Sequence, residues 1–260
     1  MSAFSTIYGI VARDIQRATR QRSRLVGGLA RPFMWLILIG TGYNAIARVE
    51  GGLSYHAFVF PGVVVMASLF GGMLTAISTV YDREFGILRL MLASPAGVPV
   101  LLAGRSAAAA LVGVLQGAVV LAFAPLVTRV SPAAFVPSVA ALALNAVSSG
   151  TLGLLVASRL RSVENFAGVI NVVLFPLLFL SGALYPTAGM PPALRTAAAI
   201  NPVTYQVDLM RHALAQAPEF PLGVDLGILM GSSVAIFFAA ALLFDPEQRF
   251  VRARTPGLKD

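Results

Sequence analysis

The residues of this chain that could do charge-based chemistry are few, and four of them fall within one short stretch. Only 12% of the 260 residues are charged, yet Asp82, Arg83, Glu84 and Arg89 lie within eight residues of one another. A charged side chain at the centre of a bilayer costs about 2.5–3.5 kcal/mol on insertion scales. We therefore expect the stretch 81–98 to lie outside the hydrocarbon, where its charges can make contacts with another surface.

The composition excludes several kinds of site. The chain has no cysteine, which excludes disulfides, thiolate nucleophiles and cysteine metal sites. Its two histidines, His56 and His212, are far apart in sequence and are interpreted as plain polar residues rather than zinc ligands. The single lysine, Lys259, is followed by Asp260, so the phosphate-binding loop GxxxxGK[ST] is absent.

Acids that could couple transport to protons or sodium are also missing from the middle of the apolar segments. Asp225 lies close to the start of one such segment and Glu164 precedes another. Uncharged polar residues do occur within these segments, and they are expected to hydrogen-bond between helices, with a substrate path as the alternative. These residues are Thr75, Ser78, Gln116, Asn145, Ser148, Ser149 and Asn171. The sequence shows no carboxylate–histidine pair or metal cluster within these segments, which argues against a membrane enzyme. A transporter of this kind would need a separate energy source.

The overall composition predicts an all-α polytopic membrane protein, because 57% of the residues are hydrophobic. Six apolar segments are long enough to cross about 30 Å of hydrocarbon at about 1.5 Å per residue. They are 25–47, 57–80, 106–128, 133–158, 165–185 and 222–244. The predicted organisation is a short N-terminal helix, 1–24, followed by a six-span domain, 25–260, with both termini on one side.

The basic residues predict the orientation. With the termini cytoplasmic, fifteen of the nineteen basic residues lie inside, and Arg48, Arg129, Arg195 and Arg211 lie outside. Cytoplasmic loops of membrane proteins are enriched in arginine and lysine. The stretch 81–98 is thus predicted to be cytoplasmic, and the net charge of +8 is explained without a nucleic-acid partner.

Residues 1–24 are predicted to form a basic amphipathic helix in the headgroup plane, with Arg13 and Arg17 among its charges. It would serve as a membrane anchor or also touch a cytoplasmic partner. A signal peptide ending at Ala45-Ile46-Ala47 is an alternative, but the apolar run before it is as long as a span.

The stretch 81–98 also carries apolar residues, including Phe85, Ile87 and Leu88, and is predicted to form one short amphipathic helix. Asp82 and Glu84 would then lie in its first turn, where the helix dipole favours anions. Pro95 would end it.

The proline-rich stretch 186–221 is predicted to form two short helices, 191–199 and 202–216, at the outer face. Asn201 would cap the second helix, and Pro202 fits its first position. If these helices re-enter the outer leaflet, they must be covered by the chain's own spans or by a second subunit.

Small-residue ladders occur on two spans, and each allows helices to approach closely within the chain or across a dimer. They are Gly113 with Gly117, and Gly223, Gly227 and Gly231.

Two stretches resemble the motifs of one family, the type-2 permease subunits of ATP-binding cassette exporters. The segment DREFGILR at 82–89, with LASP at 92–95, resembles the family's coupling-helix motif after the second span. The segment NPVTY at 201–205 resembles its segment before the last span. The matching coupling residues are Asp82, Arg83, Glu84, Phe85, Gly86, Leu88 and Arg89, and the matching outer-face residues are Asn201, Pro202, Tyr205, Asp208 and Arg211.

The resemblance implies a permease in the bacterial cytoplasmic membrane that pairs with a second permease copy and binds two ATPase subunits, which would hold the ATP and magnesium. The helix at 81–98 would dock in the ATPase, with Phe85 and Leu88 as apolar anchors and no cofactor in this chain. From charge alone, Glu84 is expected to pair with Arg13 or Arg17. The 9% aromatic content favours a hydrophobic or amphipathic small molecule or lipid as cargo over a sugar polymer. An ion-coupled carrier or channel without an ATPase, and a membrane scaffold, are the alternatives.

Overall fold

The structure, a computed structural model, describes residues 3–20, 22–44, 54–92, 97–128, 130–160 and 162–244, and every regular element in these ranges is helical. The principal helices are α1 (Ala3–Arg20), α2 (Arg22–Met34), α3 (Gly40–Asn44), α4 (Tyr55–Glu84), α5 (Ile87–Leu92), α6 (Gly97–Leu121), α7 (Ala124–Val127), α8 (Phe135–Arg159), α9 (Val163–Phe179), α10 (Pro192–Ile200), α11 (Pro202–Ala213) and α12 (Leu222–Leu243). A π-helical turn, Trp35–Ile39, joins α2 to α3, and 3-10 turns lie at Pro132–Ala134 and Thr187–Gly189.

Five helical segments of the described chain are long and apolar enough to cross a membrane. They are Leu25–Tyr43, Tyr55–Glu84, Gly97–Val127, Pro132–Arg159 and Leu222–Leu243. The predicted span 165–185 contains the shorter helix α9, whose 17 residues cover about 25 Å. The prediction of an all-α polytopic membrane protein is confirmed, whereas the sixth span stays a prediction.

Helix α4 is the centre of the bundle. Its side chains are buried almost throughout, with Phe60, Phe70 and Met73 fully enclosed by the surrounding helices. Close approach depends on glycine: a Cβ added at Gly113 of α6 would lie 2.9 Å from the carbonyl oxygen of Ser68. The Gly113 ladder therefore packs inside the chain, while Gly223, Gly227 and Gly231 have nothing within 4 Å of an added Cβ.

Helix α1 is docked on the bundle through its apolar side. Ile10 is buried in a core with Leu88, Leu101 and Leu102. A Cβ added at Gly104 of α6 would lie 3.0 Å from the Ile10 side chain, so the two helices are in direct contact. The amphipathic helix α1 thus packs on the spans of its own chain.

The stretch 81–98 does not form one helix, which corrects the sequence prediction. Helix α4 continues through Glu84 and ends at Phe85, the backbone turns at Gly86 with φ of +74°, and α5 follows. Asp82 and Glu84 therefore lie in the last turn of the span helix rather than the first turn of a separate one. The predicted terminator Pro95 lies outside the described residues, as do the cleavage pattern 45–47 and the basic C-terminal residues.

The two ends of α4 lie at opposite ends of the bundle. At one end, the Tyr55 hydroxyl donates to the Leu184 carbonyl at 2.8 Å, and Gln216 donates to the Ala57 carbonyl at 2.9 Å. At the other end lies Asp82, about 38 Å from Ala57 along the helix axis. We refer to these as the Asp208 end and the Asp82 end of the bundle.

Helices α10 and α11 occupy nearly the ranges that the prolines predicted, and α11 rests on the chain's own spans. Asn145 of α8 donates to the Gln206 carbonyl at 3.0 Å, and the Gln206 amide donates to Ser148 at 2.9 Å. The polar side chains of α11 are thus largely buried within a single copy of the chain.

Candidate functional site

Five charged residues form a compact group at the Asp82 end, which we call the Asp82 cluster: Arg13, Asp14, Arg17, Asp82 and Arg105. The Asp82 carboxylate is fully buried and lies 2.7 Å from Arg13, 3.4 Å from Arg17 and in direct contact with Arg105. Asp14 pairs with Arg105 at 3.0 Å and with Arg13 at 3.1 Å. The cluster joins α1, α4 and α6.

Arg105 is the residue at the middle of this cluster. Its Nη1 donates to Asp14 at 3.0 Å and to the Ser78 hydroxyl at 2.9 Å, while Nη2 contacts Asp82 and lies 3.4 Å from the Met91 sulfur. A guanidinium group holds its donors in a rigid planar fork, so these contacts fix the relative positions of the groups it binds. Through Met91, Arg105 also contacts α5.

The electrostatics of the cluster favour its charged form. Burial lowers the pKa of Arg13, but the neighbouring carboxylates of Asp82 and Asp14 more than offset this, so its pKa lies above the ordinary value. Three guanidinium groups face two carboxylates. Removing one partner of a buried ion pair typically costs about 3–5 kcal/mol, because a charge is left without compensation.

The chain next to the cluster forms an exposed tip of four residues, Glu84, Phe85, Gly86 and Ile87. The Phe85 side chain is 69% exposed and stacks on Tyr81 with ring centroids 6.0 Å apart. Ile87 is 36% exposed. The Glu84 carboxylate accepts a hydrogen bond from the Val163 amide at 3.1 Å, which fixes the tip against the start of α9.

Arg83 ties the same region to α8. Its Nη1 donates to the carbonyl oxygens of Ala157 and Ser158 at 3.1 Å and of Leu160 at 2.7 Å. The last carbonyls of a helix lack partners within that helix, and a cation placed there also interacts favourably with the helix dipole. The tip is therefore an apolar projection on a rigid, hydrogen-bonded base.

At the Asp208 end, the predicted motif forms a second network. The Asn201 side chain accepts from the Val203 amide at 3.0 Å and caps α11, with Pro202 at its first position. The Tyr205 hydroxyl donates to the Ala199 carbonyl at 2.7 Å. Asp208 accepts from the backbone amides of residues 219 and 220, and Arg211 donates to the Gly182 carbonyl at 2.7 Å.

The chain matches the ABC-2 type transporter family over residues 6–215, which is most of its length. It belongs to that family. This ABC-2 permease is 27% identical to nodulation protein J of Rhizobium leguminosarum bv. trifolii over 221 residues, covering 84% of each chain. It is 29% identical to the putative transport permease ycf38 of Pyropia yezoensis over 233 residues, covering 81% of this chain and 74% of the relative.

Family membership confirms part of the predicted function. The chain is a multi-pass membrane protein and a transport permease subunit, and membership implies association with ATP-binding cassette partners. Such a subunit is non-catalytic, consistent with the absence of a phosphate-binding loop from the sequence.

Two of the predicted coupling residues are not where the sequence suggested. Asp82 is buried in the ABC-2 permease rather than exposed, because three arginines surround it. Leu88 is 4% exposed and packs in the core with Ile10. Phe85 and Gly86 are exposed; Arg89 lies in α5, but its side chain is outside what the structure describes.

The predicted pairing of Glu84 with Arg13 or Arg17 is wrong. Both arginines instead bind Asp82, two residues earlier, and Glu84 faces the start of α9. Two residues along a helix correspond to a rotation of about 200°, so the two acids point in nearly opposite directions.

Among the buried charged and amide side chains, four were not candidates in the sequence analysis: Asp14, Arg105, Gln206 and Asp225. One signal could have identified the first two. Thr75, Ser78 and Asp82 are spaced by three and four residues, which places them on one face of a continuing helix. That stripe predicts a polar partner surface on neighbouring helices, which Asp14 and Arg105 supply through Ser78 and Asp82.

Proposed function

We propose that this ABC-2 permease is the membrane-spanning subunit of an ATP-driven exporter that receives force from separate ATPase subunits at the tip 84–87. The observation that supports this proposal is the exposed tip beside the buried Asp82 cluster. An exposed Phe85 offers an apolar anchor for a partner, and aromatic anchors commonly dominate the energy of protein interfaces.

The contacts behind the tip explain how movement there would reach the spans. The tip is continuous with α4, and Arg105 joins α4 to α1 and α6. Met91 of α5 contacts both Arg105 and Arg13. A displacement of the tip by a partner therefore bears on three helices of the bundle rather than on a flexible loop.

The finer parts of the proposal rest on charge and family. The Asp82 end is assigned to the cytoplasm because fifteen of the nineteen basic residues then lie on that side. We assign the chain to the bacterial inner membrane as a homodimer in contact with membrane lipid, with ATP and magnesium bound only by the ATPase. The cargo is proposed to be a hydrophobic or amphipathic small molecule or lipid.

The test is replacement of Phe85 by alanine in the complex of the full chain with its ATPase. Burying a phenylalanine side chain is worth about 1.5–3 kcal/mol, and each 1.4 kcal/mol corresponds to about a tenfold change in affinity. The dissociation constant of the ATPase should therefore rise about 10- to 100-fold. A Glu84→Gln variant keeps an oxygen acceptor for Val163 while removing the charge, and separates charge recognition from local structure.

Phe135→Ala is the matched control, because Phe135 is 62% exposed but lies at the Asp208 end. Binding should be measured in nanodiscs, together with ATPase rate and membrane insertion. If Phe85→Ala and Phe135→Ala bind the ATPase equally well, the tip is not the docking surface. If an ion gradient alone drives transport in liposomes without the ATPase, the carrier alternative holds instead.

A further inference from the structure

A second group of ligand-type side chains lies at the Asp208 end, and the proposed function does not use it. It consists of Asp208 and His212 on α11 and Asp225 in the first turn of α12, which we call the Asp208 cluster. One ligand atom from each of these residues lies within 4.8 Å of those from the other two. The connection 214–221 between α11 and α12 brings Asp225 next to the other two residues.

Asp225 is the least expected member of the cluster. It is 0% exposed, and neither of its carboxylate oxygens has a hydrogen-bond partner within the described residues. The His212 Nε2 lies 3.4 Å from its Oδ2. A buried carboxylate that lacks compensation is strongly unfavourable, so the Asp225 carboxyl group must either hold a proton or face a cation.

The nearby arginine does not supply that cation. Arg211 lies 3.1 Å from Glu219 and 3.8 Å from Asp208. Its other contacts are the Gly182 carbonyl and the face of Phe58. The charge of Arg211 is thus directed at Glu219 and Asp208.

The other donors of the cluster are already oriented. Asp208 accepts backbone hydrogen bonds from residues 219 and 220 at 2.7 and 2.8 Å. Each carboxylate oxygen has a second lone pair, so Asp208 can still bind an ion. Such outer-shell hydrogen bonds are typical of metal ligands, because they fix the position of the ligating oxygen.

The spacing of the donors fits a small cation. His212 Nε2 lies 3.4 Å from the Asp225 Oδ2 and donates a hydrogen bond to the Phe220 carbonyl oxygen at 2.9 Å, so a bound ion would replace that hydrogen bond. Ligands around a tetrahedral ion with bonds of about 2.0–2.1 Å are about 3.3 Å apart. The cluster therefore offers one imidazole nitrogen and two carboxylates, whose ligand atoms all lie within 4.8 Å of one another.

We propose that the Asp208 cluster binds a divalent transition-metal ion of the zinc or manganese type. Imidazole favours transition metals, and carboxylate and carbonyl oxygens are accepted by the same ions. Binding requires His212 to present an unprotonated Nε2. The ion would join the end of α11 to the start of α12 and fix the connection 214–221.

The test uses the purified full-length chain, without an affinity tag, in detergent after treatment with EDTA. Zn²⁺ and Mn²⁺ are titrated by calorimetry, with Mg²⁺ and Ca²⁺ for comparison. We expect one equivalent of Zn²⁺ or Mn²⁺ per chain, and thermal unfolding at a higher temperature in the metal-loaded protein. Even outer-shell changes typically weaken metal affinity by about 10- to 100-fold, so loss of a ligand in Asp225→Asn should weaken it by at least 100-fold.

His212→Gln should weaken metal binding to the same extent. Because the His212 side chain is partly exposed, this variant should fold and can replace Asp225→Asn if that variant does not fold. His56→Gln is the matched control, since His56 is the other histidine of the chain and should leave binding unchanged. Absence of saturable binding would overturn the proposal and assign the cluster to a histidine–carboxylate ion pair. Equal binding by wild type and His212→Gln would also overturn it.

Discussion

Replacing Arg105 with methionine removes the cation at the middle of the Asp82 cluster while keeping a long, apolar side chain. Arg105 is 3% exposed, and its Nη1 and Nη2 atoms contact Asp14, Ser78 and Asp82. Methionine fills much of the same volume, so the change tests charge and hydrogen bonding more than packing.

The expected loss follows from what each carboxylate retains. Asp82 keeps Arg13 at 2.7 Å and Arg17 at 3.4 Å, although both arginine side chains are more than a third exposed. Asp14 keeps only Arg13 among its arginine partners in the described structure. Breaking a buried pair costs about 3–5 kcal/mol. Because the remaining arginines still compensate part of the negative charge, Arg105→Met should lower the free energy of unfolding by about 3 kcal/mol.

The assay is denaturant unfolding of the full chain in detergent, followed through the fluorescence of Trp35. Arg159→Met is the matched control, because Arg159 lies exposed in the last turn of α8. An exposed substitution of this kind usually changes stability by less than about 0.5 kcal/mol.

A double-mutant cycle makes the test specific. If Arg105 compensates the charge of Asp14, then Asp14→Asn should cost less when Arg105 is already methionine. Residues in one ion-pair network typically show coupling of about 0.5–3 kcal/mol. Arg105→Met behaving like Arg159→Met, or strict additivity in the cycle, would refute the description of the cluster as a buried, mutually compensated network.

Two further predictions concern glycines and use the same unfolding assay. Gly86→Ala should destabilise the chain by about 1–2 kcal/mol, because a side chain is strained at φ of +74°. The control is Gly9→Ala on helix α1, where an added Cβ has nothing within 4 Å and should not destabilise the chain. Equal effects of the two substitutions would contradict the prediction. Gly113→Ala should cost about 1–3 kcal/mol, because its added Cβ would lie 2.9 Å from the Ser68 carbonyl. Gly227→Ala has nothing within 4 Å and should be neutral or slightly stabilising, so a larger loss there than at Gly113 would contradict the packing.

Features that depend on local sequence were predicted from the sequence with useful accuracy. The apolar segments placed the long helices, and Asn201 with Pro202 marked the start of α11, where the structure shows the cap. These features are encoded within a few residues of where they act, through hydrophobicity and capping. The length of helix α9 was overestimated, because the apolar sequence continues past Phe179, where the helix ends. The backbone then turns at Gly182, with φ of +77°.

Features that depend on distant partners were not predicted. Asp14 and Arg105 are separated by 91 residues, and Arg13 and Asp82 by 69. Glu84 was paired with Arg13 or Arg17 on charge alone, and the sequence could not show which acid these arginines face. That choice depends on how far α4 extends and on the rotation of its last turn, both of which are set by packing.

The length of α4 explains how Asp82 can be charged and still belong to a membrane-spanning helix. Thirty residues of helix cover about 45 Å, whereas the hydrocarbon core is about 30 Å thick. A helix of this length that runs along the bilayer normal extends about 15 Å beyond the hydrocarbon, and Asp82 is only two residues from the end of α4. Its complete burial then comes from protein rather than lipid, and α1 and α6 supply the three arginines that make this burial tolerable.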